Sequence, residues 1–142
     1  MQPYSDDYMQ YNESTGRYVL TEKALTDNGT NLRARLSRNR ATNATAIINR
    51  LLNRVSEMIY NYIHQFSHDN KRQDGIIAIV PGCREIIQRA MLEQAEYILM
   101  NGDLSRSVEA DKRALAIDYS ARETLNTVIT ELGVPITYTG GY

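Results

Sequence analysis

Two histidines open the chemical reading. His64 and His68 stand four residues apart, the spacing that sets two imidazoles on one helix face to grip a metal ion. Asp69 follows as a third donor. The residues between the histidines are Gln65, Phe66 and Ser67, so the glutamate of a His-Glu-x-x-His hydrolase is missing. The pair also falls where the helix is expected to fray, which favours two solvent-facing histidines over a metal site. Cys83 follows Pro81-Gly82 at the expected start of a helix, a location that lowers a thiol pKa and makes a nucleophile. No base stands near it in sequence: Arg84 cannot accept a proton and the histidines are remote. A small, semi-buried structural cysteine is the expectation. Glu93 and Glu96 are helical neighbours and read as surface charge. Gly140-Gly141 is followed by neither a lysine nor a helix, so it is not a phosphate loop. With no nucleophile–base set and no dinucleotide fingerprint, the chain reads as a non-enzyme that needs no metal and no cofactor.

Charge is the second chemical signal. The formal net charge of −1 conceals a segregation. Residues 33–54 hold Arg33, Arg35, Arg38, Arg40, Arg50 and Arg54 and no acid, while the segments on either side are acidic. Such a block can meet nucleic-acid phosphates, acids on a partner, or this chain's own acidic segments. No aromatic interleaves the arginines, which argues against a stacking platform for single strands.

These residues need elements to position them. A chain of 142 residues is one ordinary domain, and a hydrophobic content of 42% is enough for a packed core. The single cysteine excludes an internal disulfide framework. The longest apolar run, residues 76–80, falls well short of the roughly 20 residues of a membrane span, so no membrane association is expected. The N-terminus, acidic and polar, is not a secretory signal.

Helix periodicity is strongest after Thr42 or Asn43, either of which suits a cap. Ile48, Leu51, Leu52, Val55, Met58, Ile59, Tyr62, Ile63 and Phe66 recur at three-and-four spacing. Residues 76–80 fit a short strand or a packed linker equally. Pro81-Gly82 reads as a turn, and a second helix follows from Cys83 to Met100. Its stripe is Ile86, Ile87, Ala90, Met91, Gln94, Ala95 and Ile98, widened by Tyr97 and Leu99, which marks it as central. Asn101-Gly102 closes it. A third helix starts at Ser120, where Glu123 completes a capping box, and ends at Gly133 before Pro135. Residues 104–119 resist assignment.

The expected fold is therefore all-α, a small bundle of three to four helices with extended arms. Residues 1–40 form the N-terminal arm, residues 41–133 the helical core and residues 134–142 an extended C-terminal tail. Only 13 of the first 40 residues are apolar, four of them tyrosines, and Arg17 to Thr21 has the composition of a short strand. The ten tyrosines are the composition's oddity, set against one phenylalanine and no tryptophan. Six of them (Tyr4, Tyr8, Tyr11, Tyr18, Tyr138 and Tyr142) fall in the arms, where a rigid ring with a polar tip suits an interface.

The stretch from Pro81 to Asp103 resembles the central helix of the tailed-bacteriophage head–tail adaptor family, also called connector or head-completion proteins. The resemblance rests on the preceding proline, Arg89-Ala90, Gln94-Ala95, Tyr97 and the Asn101-Gly102 stop. The helix from Ala44 to Phe66 is similar to the family's first helix and Ser120 to Leu132 to its closing one, so the resemblance spans roughly residues 44–133. The 40-residue N-terminal segment is longer than a minimal member's.

The resemblance implies a structural virion protein at the head–tail junction, present in the host cytoplasm during assembly. It would form a ring, commonly a dodecamer, beneath the portal protein, extend the DNA channel without sequence-specific binding, and receive the next neck or tail component. Val134, Ile136, Tyr138 and Tyr142 are then candidates for the portal interface. Tyr4, Tyr8, Tyr11, Tyr18, Arg33, Arg35, Arg38 and Arg40 are candidates for contacts between ring neighbours or with partner acids. The alternative from the residues alone is a small helical DNA-binding protein that uses the block from Arg33 to Arg54.

Overall fold

Asn12 builds the first turn of the chain. Its carbonyl accepts the N–H of Gly16 at 2.8 Å, and its side-chain Oδ1 accepts both the N–H and the hydroxyl of Ser14, an asparagine-driven turn. Gly16 adopts φ +73° to complete the reversal. The turn joins β1 (Met9–Asn12) to β2 (Arg17–Leu20) as an antiparallel hairpin, with Met9 opposite Leu20 and Asn12 opposite Arg17. The structure, a computed structural model, describes residues 7–38, 42–65, 74, 75, 77, 80–101 and 117–131. Among them it is mostly helical, with this hairpin as the one sheet.

Thr21 ends the hairpin and starts a helix at once. Its hydroxyl oxygen accepts the N–H of Ala24 as an N-cap and donates to the carbonyl of Asp7. The short α1 (Glu22–Asp27) stops at Gly29, φ +98°. Asn31 Oδ1 accepts the N–H of Ala34 in the first turn of α2 (Leu32–Arg38). The expected extended arm is therefore corrected. Residues 7–38 are folded, and Leu20, Ala24, Leu25, Leu32 and Leu36 are buried in the same apolar cluster as the long helices. The segment is poor in apolar residues, but those it has stand where two short helices can bury them. Each large aliphatic side chain so buried contributes about 1.5–3 kcal/mol.

The long helix α3 (Ala44–His64) follows the expected periodicity. Its buried arc is wider than one stripe, because Ile47, Ser56 and Tyr60 are also buried. The hairpin covers this second face: Ser56 Oγ donates to the carbonyl of Tyr18, and Tyr60 Oη accepts the Tyr18 N–H. Tyr62 is half-buried, and Phe66 lies outside the described residues.

The central helix α4 (Pro81–Asn101) begins two residues before its expected start. Pro81 occupies the first turn, where a missing N–H costs nothing and the fixed φ suits the helix, and the Val80 carbonyl accepts the N–H groups of Cys83 and Arg84. Its central position is evident in burial on several sides, from Cys83 and Ile87 through Ala90, Met91, Leu92 and Ala95 to Ile98 and Leu99. The last helix, α5 (Tyr119–Glu131), packs on α4 through Ala121 and Leu125. Ser120 does not cap it. The Asp118 carbonyl accepts the first helical N–H, from Arg122, so Ser120 lies inside the first turn and its hydroxyl turns to Glu93.

Candidate interaction surface

The residues with catalytic potential are held in structural contacts. His64 is not solvent-facing: Nε2 lies 2.8 Å from Asp74 Oδ1, with both side chains almost covered. Arg17 Nε is 3.5 Å from the other Asp74 oxygen, and its guanidinium stacks 5.2 Å from the centre of the Tyr60 ring. This cluster pins β2, α3 and the segment at Asp74 together. His68 and Asp69 lie outside the described residues, and no group of three metal-ligating side chains occurs among the described ones. Cys83 is buried, and burial pushes its thiol pKa up despite Arg84 beside it. The charge that would activate it is outweighed by desolvation.

Glu93 and Glu96 are not idle surface charge. Glu93 accepts hydrogen bonds from Ser120 Oγ at 2.9 Å and from Thr124 Oγ1 at 2.6 Å. Glu96 accepts from Asn28 Nδ2 at 2.6 Å. Two carboxylates one turn apart on α4 thus hold α5 on one side and the end of α1 on the other. Gln94, buried between them, accepts the N–H of Asp118.

The arginine block is partly answered from within. Arg33 makes a two-pronged contact with Glu22, at 3.0 and 2.9 Å, and its Nη1 donates to Thr45 Oγ1. The Glu22 carboxylate holds the Arg33 pKa above its usual value. Arg35 donates to the carbonyl of Leu99, one of the last in α4, so a cation sits at the negative end of that helix. Arg54 pairs with Glu57 at 2.6 Å. Arg38 is exposed at the end of α2, and Arg40 lies outside the described residues.

The tyrosines divide in the same way. Tyr8 donates to Asp27, which raises its pKa, while Lys23 and Tyr8 together lower that of Asp27. Tyr18 is half-buried against the core. Tyr11 packs edge-on against Tyr18, 5.2 Å between ring centres, and keeps 44% of its surface exposed. Tyr4, Val134, Ile136, Tyr138 and Tyr142 lie outside the described residues. Tyr11, Arg33, Arg35 and Arg38 are the expected interface residues that are exposed among the described ones, and of the three arginines Arg33 and Arg35 already bond within the chain.

A groove of about 720 Å³ runs between the hairpin and α3. Tyr11, Glu13, Thr21, Glu22, Asn49 and Asn53 line it, and a second concavity at the start of α3 shares Asn49 and is bordered by Arg33. Its acids come from the segment expected to be an extended arm, and its amides Asn49 and Asn53 from α3. The turn composition of Asn12 to Gly16 was the available signal for the groove's rim. No helix among the described residues is long and apolar enough to cross a membrane. No protein-family model, curated protein or solved structure matches the chain.

Proposed function

We propose that this chain is a structural virion subunit of the head–tail adaptor kind, which assembles as a ring beneath the portal, joins head to tail and surrounds the DNA channel. The observation that carries the reading is the succession of α3, α4 and α5, with α4 at the centre and its acids and amides tied to neighbouring elements. His64, Glu93 and Glu96, which looked capable of chemistry, serve as ties between elements, which supports a part built for geometry. The residues from Val134 onward are proposed to dock on the portal, as an added strand or a clamp, on the strength of their apolar–polar alternation.

The deciding measurement is the mass of the purified protein, alone and mixed with an isolated portal ring. Formation of a ring on the portal is the expected result, and deletion of residues 134–142 should weaken it. A stable monomer that ignores the portal overturns the proposal. A monomer that instead binds duplex DNA with steep salt dependence moves the function to nucleic-acid binding.

A further inference from the structure

Two opposite charges on the surface stand apart from the ion pairs around them. Glu13, at the hairpin turn, and Arg38, at the end of α2, are both exposed, and neither pairs with an opposite charge among the described residues. The nearby charges are otherwise engaged: Glu22 with Arg33, Asp27 with Lys23, Arg54 with Glu57. Glu13 lines the 720 Å³ groove, whose twelve lining residues include two acids and no base. The exposed ring of Tyr11 stands beside it, and the amides of Asn49 and Asn53 face it across the groove. A carboxylate, an aromatic ring and amide oxygens together suit a guanidinium.

Glu13 and Arg38 form no ion pair with each other within the chain, and each sits on an element that is tied down. Asn12 fixes the hairpin turn. The links from Arg33 to Thr45 and from Arg35 to Leu99 fix α2. We infer that a second copy of this chain supplies the partner: Arg38 of one subunit enters the hairpin groove of the next, against Glu13 and Tyr11. Repeated head-to-tail, such a contact builds a ring where the rotation between copies closes; made reciprocally between two copies, it stops at a dimer. This inference rests on the proposed ring assembly and names the contact that builds it.

A charge-swap series tests it: wild type, Arg38→Glu, Glu13→Arg and the double variant, each followed by sedimentation velocity alone and on the portal ring. Both residues are exposed, and a matching thermal melt confirms that each variant folds. Each single reversal should weaken assembly about tenfold, and the double variant should recover most of the loss. Single variants that assemble like wild type, or a double variant no better than either single, overturn the contact while leaving the ring reading standing. A wild-type chain that stays monomeric on the portal removes the ring reading itself, and the contact with it.

Discussion

The hydroxyl of Tyr60, fully buried in α3, accepts the backbone N–H of Tyr18 at 3.0 Å across 42 residues of sequence. Together with Ser56 it satisfies the polar backbone of β2 on the side away from β1. Burial is the main reason the Tyr60 phenol is held well above its usual pKa. Tyr60→Phe should leave that N–H unpaired and cost about 1–3 kcal/mol in a urea melt. The pH dependence has a definite sign. A phenol kept neutral by the fold ionises earlier in the unfolded chain, so its contribution is complete below about pH 10 and is lost as pH rises further. Alkaline unfolding of the wild type should therefore be steeper than that of Tyr60→Phe.

Leu25 is 1% exposed and belongs to the main core. Leu25→Ala should destabilise the whole protein by about 2–5 kcal/mol, read as one cooperative transition. A loss confined to the first 38 residues, with α3 and α4 unchanged by hydrogen exchange, would return that segment to the status of an arm.

Glu93 is the anchor for the first turns of α5. Glu93→Ala removes the acceptor for both Ser120 and Thr124 and should cost about 1–3 kcal/mol. Amide exchange should accelerate through α5 more than through α3. Glu93→Gln keeps an acceptor oxygen and should fall between wild type and the alanine variant.

Cys83 is 1% exposed with a raised thiol pKa. A thiol-directed disulfide reagent at neutral pH should label the native protein slowly and the urea-unfolded protein at once. Rapid labelling of the native state would show that the first turn of α4 opens.

The long helices were legible because their apolar residues repeat at helical spacing over 21 residues each. Periodicity needs several turns to declare itself, and α1 and α2 have six and seven residues. Their signal lay in punctuation instead, in Thr21 and Asn31 as caps and Gly29 as a stop. The same logic explains Pro81 and Ser120. Pro-Gly reads as a turn and Ser-x-x-Glu as a capping box by local rules, but Val80 and Asp118 supply the carbonyls that start those helices. The polar ties were out of reach for a different reason. Nothing in the spacing of Asn28 and Glu96, or of His64 and Asp74, says that folding brings them together.

The bond from Arg35 to the Leu99 carbonyl spans 64 residues, and it fixes an order of events during synthesis. The N-terminal segment leaves the ribosome before α3 and α4, yet Leu20, Leu25, Leu32 and Leu36 share their core with both helices. Those leucines wait for partners while the chain grows, so this segment settles after helices that are translated later. A chain released before Leu99 would keep α3 but lack the end of α4 that Arg35 holds, and its N-terminal apolar residues would be covered on one side alone.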